Sequence, residues 1–577
     1  MRGHLITSIS TATIGAVTLA VATAGVLTSA APAGAAEPFG PTPWVVGAPG
    51  AGPAKIWDGA GLGDRLVYSY ETPAYGAEPW VSDGTVAGTH LLVDITPGPG
   101  GSGADEFVQV GSLLLFHAEA PGLGDELWAT DGTTDGTRLV KDLWPGAASS
   151  SPDNQAAAGR RLFFNADTPG VGRELWVSDG TAAGTHLVED LNPGVADSSP
   201  GNLTAVGNRV VFHATNATIG REPFVSDGTP TGTHQIGNIS LAGDSDPRRF
   251  TVLGAAVLFP ARSDTDGVEL YRWSGTGVQS TLVRDISPGV ASSYPEGLTV
   301  YQGRVYFSAQ HPATGGDELW STDGTTDGTY LAQQINPVGP GAIGDLTVHG
   351  DRLYFEGRDG PETTGLFSST GTAASTRLVL RLTTPGGAAS VHGLHPAGDL
   401  LLFSRSTTSP DTEAVWITDG TTAGSRPLLA AEDPASPVAT TLATVANTAF
   451  VVATAPGVGE RLWAYTWRSS ETVVTAKRKW SAKKARKRKI KLTIEVSAAG
   501  VTPDGAVTIW TKRKGKGLKT KQKRLRAVGT AVVVDGIVRV RIKKRLKAGK
   551  YKITATYAGS LEAGASTSAP RTIKVRR

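Results

Sequence analysis

A twelve-residue phrase, Glu174-Leu175-Trp176-Val177-Ser178-Asp179-Gly180-Thr181-Ala182-Ala183-Gly184-Thr185, returns with drift between residues 78 and 467. Its aromatic position holds Trp80, Trp128, Trp176, Phe224, Tyr271, Trp320, Phe367, Trp416 and Trp463, at intervals of 48, 48, 48, 47, 49, 47, 49 and 47 residues. A period this steady means one supersecondary unit stacked on copies of itself, since a lone unit cannot bury its apolar face. The local pattern names that unit. Leu203-Thr204-Ala205-Val206 and Arg209-Val210-Val211-Phe212-His213-Ala214 flank a Gly207-Asn208 turn, a hairpin signal. Glu222-Pro223-Phe224-Val225-Ser226 supplies a third strand and residues 233–239 a fourth. Pro-Gly pairs at 97–98, 145–146, 193–194 and 288–289 mark the crossing to the next unit.

Strands such as Leu162-Phe163-Phe164 are apolar on both faces, as a sheet sandwiched between neighbours requires. The fold class is therefore all-β, a β-propeller of about nine four-stranded blades over residues 37–470; an open solenoid is the alternative. The two ends favour the ring. The last unit offers residues 441–445, 449–453 and 461–465 but no fourth strand. Trp44-Val45-Val46 followed by Pro49-Gly50 looks like Leu187-Val188-Glu189 followed by Pro193-Gly194, so the N-terminal strand is expected to complete the final blade and remove its exposed edge.

Charge divides the chain. From Val474 onward there are 31 Lys and Arg against 4 Asp and Glu, leaving 24 basic against 48 acidic residues before it. Residues 471–489 read as a basic linker carrying Lys477, Arg478, Lys479, Lys483, Lys484, Arg486, Lys487, Arg488 and Lys489. Residues 490–577 read as a basic β-sandwich, with Leu492, Ile494 and Val496 inward and Lys491, Thr493 and Glu495 outward. The basic run is expected to meet anionic envelope polymers or a membrane surface; export makes nucleic acid an unlikely partner. At the other end, residues 1–36 read as a signal peptide. Arg2 and His4 precede an apolar stretch, and Ala33-Gly34-Ala35 offers small residues for cleavage near Ala35 or Ala36. The expected location is secreted or cell-surface. With no cysteine, neither disulfides nor thiolate metal sites are available.

Acidic turns invite a calcium reading, because Asp83, Asp131, Asp179, Asp227, Asp323 and Asp419 share one repeat position. Ser274 and Thr370 stand there in two other units, and neither replaces a carboxylate on calcium. Both can hold a turn by side-chain to backbone hydrogen bonding, which is the expected role. The aromatic positions are expected to pack between blades rather than to stack sugars. His90, His186 and His234 share one repeat position, and His117 and His213 another, whereas a catalytic group is normally unique. His392 and His395 break the pattern without a partnered nucleophile, and no phosphate loop, nucleophile elbow or zinc spacing occurs.

On these residues, with Glu126-Leu127-Trp128-Ala129-Thr130-Asp131-Gly132-Thr133 as a clear copy, residues 44–467 resemble the ELWxxDGT, or hyalin-like, repeats of exported bacterial proteins. Pro503-Asp504-Gly505-Ala506-Val507-Thr508-Ile509 and residues 548–557 resemble bacterial immunoglobulin-like repeat domains. Neither resemblance implies an activity; both imply surface or secreted binding scaffolds, and no cofactor is expected beyond the calcium that the acidic turns invite. The functional expectation is a monomeric, non-catalytic adhesion scaffold. Its ring would take an unknown protein or glycan ligand and its basic domain would hold the envelope; a propeller hydrolase or lyase acting on extracellular glycans is the alternative.

Overall fold

The computed structural model describes residues 44–46 and 55–466, apart from 314, 338, 361–363, 383–388, 409–410, 431–438 and 456–458. In the C-terminal part it describes 470–475, 479–480, 491–498, 505–514, 526–533, 537–541, 549–557, 566–568 and 571–575. Between Trp44 and Thr466 the described strands form nine four-stranded antiparallel sheets. These are the blades of a propeller, numbered here in chain order. Blade three is typical: Asp153–Ala158, Arg161–Thr168, Gly172–Ser178 and His186–Glu189 pair in sequence. Blade nine takes its outermost strand from the other end of the chain. Trp44–Val46 lies antiparallel to Gly459–Thr466, with Trp44 opposite Ala464, Val45 opposite Trp463 and Val46 opposite Leu462. The ring is closed, as the sequence requires of a chain that lacks one strand at its end and carries it at its start.

Each aromatic anchor packs against the preceding blade. Trp176 of blade three lies in one cluster with Leu115 and Leu127 of blade two, and Phe224 of blade four lies with Phe163 and Leu175 of blade three. Tyr271, Trp320, Phe367, Trp416 and Trp463 repeat the arrangement. Trp128 meets Val67 and Val81, and Trp80 meets Phe450, Val452 and Leu462 across the closure. Burying one such ring contributes about 1.5–3 kcal/mol, so the hydrophobic stabilisation lies between blades rather than within them.

The acidic residue two positions before the anchor does a job that sequence reasoning left unassigned. Glu78, Glu126, Glu174, Glu222, Glu269 and Glu318 are all fully buried. Each carboxylate reaches across to the loop that crosses to the next blade. Glu126 accepts from the Leu143, Trp144 and Ser150 amides at 2.8, 3.2 and 3.2 Å and from the Ser150 hydroxyl at 2.6 Å. A buried carboxylate is tolerable only with several donors around it. The fourth strand of blade four is shorter than the expected 233–239: His234–Gln235 pair as a strand, the Ile236 amide still reaches the Pro223 carbonyl at 2.8 Å, and the Ile239 and Ser240 amides turn to Glu222.

In the C-terminal part, Ser470–Thr475, Lys491–Ala498 and Ile537–Arg541 form one antiparallel sheet with Leu492, Ile494 and Val496 buried. A second sheet runs from Lys479–Trp480 through Arg571–Val575, Gly549–Tyr557 and Gly505–Lys514 to Arg526–Val533. Ser470–Thr475, most of which lies in the segment 471–489 that composition assigns to a linker, pairs as a strand with Lys491–Ala498. Residues 1–36, Lys477, Arg478, Lys483, Lys484, Arg486, Lys487, Arg488 and Lys489 lie outside the described residues; Lys479 sits in the short strand parallel to Arg571–Val575.

Candidate functional site in the axial collar

The first strand of each blade is the innermost, and these strands touch one another from blade five round through blades nine and one to blade four. Nearly all carry the same defect. The pairing of first and second strands slips between Ile56 and Gly59, Asp105 and Val108, Asp153 and Ala156, Gly201 and Thr204, Glu296 and Thr299, Gly344 and Thr347, and His392 and His395. Each slip is a β-bulge, which re-aims one side chain out of the ladder. The bulged residues Glu106, Asn154 and Asn202 hold left-handed backbone, with φ of 53°, 53° and 54°, and so does Arg249 just ahead of the unslipped first strand of blade five, at 51°. Asx residues tolerate that region; a glutamate or arginine there is uncommon. The position holds Glu, Asn or Arg in these blades and Gly297 and Gly393, with φ of 63° and 61°, in blades six and eight, so no single residue type marks it in the sequence.

The bulges build a collar around the axis in two unlike halves. On blades one to four, Asp58, Glu106, Asn154, Gln155 and Asn202, with Phe107, Val108 and Leu203, line a cavity of about 360 Å³. The collar is stitched from blade to blade: the Phe107 amide donates to Asp58 Oδ2 at 3.1 Å and the Asn202 amide to Asn154 Oδ1 at 3.4 Å. On blades five to seven the cavity is about 510 Å³ and its charges are already matched, Arg249 Nη2 lying 3.2 Å from Glu296 Oε2.

The first half is not matched. Both polar side-chain atoms of Gln155 are buried without a hydrogen-bond partner, and Glu106 lies against the Asp153 carboxyl and the Gln155 backbone amide. Burial, followed by the hydrogen-bonded carboxyl of Asp153, pushes Glu106 up to about 7. Two carboxyls facing one another must share a proton or repel. Behind them His117 Nδ1 lies 3.0 Å from Asp125 Oδ1. Burial pushes His117 down, but Asp125, Glu106 and Asp105 outweigh it and hold the imidazole above its ordinary range. The half-collar therefore gathers carboxyl groups and an unpaired carboxamide, with no cation among the residues lining the cavity, in a partly enclosed space.

The other sequence-chosen residues lie elsewhere. Asp83, Asp131, Asp179, Asp227, Asp323 and Asp419 sit in exposed turns, each Oδ1 accepting from the amide and hydroxyl of the Thr two residues on; for Asp179 these are 2.9 and 2.7 Å from Thr181. Gly180, between them, takes a φ of 85°. Among the described residues no group of three His, Asp or Glu could hold a metal ion. His392 Nε2 lies 2.9 Å from Glu413 Oε1, and burial pushes His395 below its ordinary range.

No family model and no characterised protein matches the sequence. Solved structures do match by shape. A prolyl endopeptidase aligns over 70% of this chain and 55% of its own, at 11% identity and a TM-score of 0.36. A puromycin-hydrolysing peptidase of Mycobacterium tuberculosis aligns over 61% and 57%, at 12% identity and 0.34. The β-propeller domain of the Trilobed protease from Pyrococcus furiosus aligns over 67% and 99%, at 11% identity and 0.33. The chain spans little more than half the length of the two peptidases. Likeness at this level speaks to the propeller architecture alone. The expected non-catalytic adhesion scaffold, and its glycan-cleaving alternative, have no counterpart among these structures, which are peptidases and a puromycin hydrolase, and that reading is set aside; so distant a likeness assigns this chain no activity.

Proposed function

We propose that this is an exported member of the ELWxxDGT-repeat proteins, with an immunoglobulin-like C-terminal part, and that its ring works at the axis. There the half-collar of blades one to four holds a compact organic cation, an amine or guanidinium. The observation that carries the reading is the mismatch between the two halves: Arg249 is neutralised by Glu296, while the carboxyls of Asp58 and Glu106 line a cavity that has no cation among its lining residues. A guanidinium presents five donors in a plane and suits paired carboxyl and carboxamide oxygens. Phe107, Val108 and Leu203 leave apolar wall for the stem of such a ligand.

The test is calorimetric titration of the full chain with agmatine in 150 mM salt. Binding should weaken at least tenfold in Asp58→Asn combined with Glu106→Gln, and stay unchanged in Glu119→Gln, which alters an exposed carboxylate outside the cavity lining. Equal weakening in both variants would reduce the effect to general attraction by an acidic ring and sink the proposal.

A further inference from the structure

A second cavity, of about 400 Å³, opens on the crossover side of blade five between Arg262, Ser263, Asp264 and Gly267 and the loop residues Val290, Ser292 and Tyr294. Most of its polar groups are already engaged. Asp264 Oδ2 accepts from the Leu241 and Ala242 amides at 2.8 and 3.1 Å, and Oδ1 from the Ser240 hydroxyl at 2.9 Å. The Ser292 hydroxyl takes the Val268 amide at 2.9 Å, and Ser263 bonds Asp266. Among the described residues the Arg262 guanidinium has no partner, and neither has the Tyr294 hydroxyl. Asp264 Oδ1 keeps one lone pair.

Repetition is broken at both free groups. The positions equivalent to Arg262 in the other early blades are Glu71, Glu119, Asp167, Thr215 and Gln310, so a base replaces acids and neutral residues. Those equivalent to Tyr294 are Gly103, Ser151, Ser199, Asp246 and Ala342, so an aromatic ring replaces small or turn-forming residues. Every one of these holds left-handed backbone, Tyr294 at a φ of 47°. A bulky side chain is strained there, at on the order of 1–3 kcal/mol. Burial does not offset that cost, because Tyr294 is 44% exposed and Val290 beside it 79%. A strained, exposed aromatic next to an unpaired guanidinium is poor for folding and suited to holding something.

We infer that this cavity is a site for an acidic sugar: the carboxylate of a hexuronate pairs with Arg262, its apolar ring face lies on Tyr294 against Val290, and one hydroxyl donates to Asp264 Oδ1. Arginine binds a carboxylate in a two-pronged fashion that lysine cannot copy, and a flat aromatic face matches the C–H face of a pyranose. Blade five alone among the first six combines these groups. The site is independent of the axial collar and stands or falls without it.

Calorimetry and ligand-observed saturation-transfer NMR on the full chain, with D-galacturonate as probe and D-galactose as its neutral counterpart, decide the matter. Galacturonate should bind at millimolar strength and galactose at least tenfold more weakly. Arg262→Gln should cost galacturonate tenfold or more while leaving the basic C-terminal residues untouched, which separates the pocket from general attraction by them. Tyr294→Gly, which accepts the left-handed backbone without strain, should lose several-fold in binding while melting no lower than the parent. Equal binding of the two sugars, undiminished binding in Arg262→Gln, or a melting point several degrees lower in Tyr294→Gly would each overturn the assignment, the last by making the ring a packing residue.

Discussion

Replacing Glu174 by Ala should loosen the crossing from blade three to blade four while leaving the blades intact. The carboxylate is fully buried and receives the Leu191 amide at 3.0 Å, the Ser198 amide at 2.9 Å and the Ser198 hydroxyl. Alanine removes the acceptor of both amides, whereas the hydroxyl can rotate away. At ~1–3 kcal/mol for each buried donor left unmade, the loss is about 4 kcal/mol, or roughly a thousandfold in the local opening equilibrium. Hydrogen exchange followed on the peptide spanning residues 190–203 should accelerate by that order, with little change in the strands of blade seven. Glu174→Gln keeps the volume but turns one acceptor into a donor, so exchange should rise by an intermediate amount. Exchange within tenfold of the parent in Glu174→Ala would refute the reasoning: the loop would then be held by its own turns, and the buried acid would be incidental.

Stability should also fall as pH rises toward neutrality. Burial raises Glu174 and Glu318 from 4.5 to about 7, and Glu106 likewise, so these groups bind protons more tightly when folded; the contribution is full below about pH 4.5 and lost as pH rises through 7. Melting temperatures measured from pH 5 to 8 should decline, less steeply in Glu174→Gln; a rise would contradict the sign. A chain beginning after Val46 should leave Gly459–Thr466 as a bare edge, and chromatography should show self-association or a lowered melting point. Asp179→Ala, which removes two hydrogen bonds in an exposed turn, should cost about 1 kcal/mol, with a chelator making no difference to parent or variant; a calcium-dependent melting point would overturn the turn-holding role.

What was legible in the sequence was whatever repeats within a short window. The anchors at Trp80 to Trp463 carry the blade period, and the missing fourth strand at the end of the array pointed to Trp44–Val46. The buried Glu row was not legible, although it is part of the same phrase. Each such Glu looks like an ordinary polar residue of an alternating strand, and its partners lie 17 to 24 residues further on in a loop. The collar was missed for a different reason. A β-bulge at Glu106 is a property of pairing register, and neither Glu106 nor Arg249 is a residue type that announces left-handed backbone. Tyr294 could have been noticed as an aromatic among Gly, Ser, Asp and Ala, a break in the repeat rather than a motif.

The seam between Trp44–Val46 and Gly459–Thr466 sets a timetable. More than 400 residues separate the two strands, so at ~5–20 residues per second the first of them waits roughly 20–80 s before its mate exists. Throughout that interval eight blades can assemble, but the wheel cannot be completed. A polypeptide stalled or cut anywhere short of residue 466 is left with two sticky margins instead of one sealed joint, and a handler that shields the leading strand would be of most use in that interval.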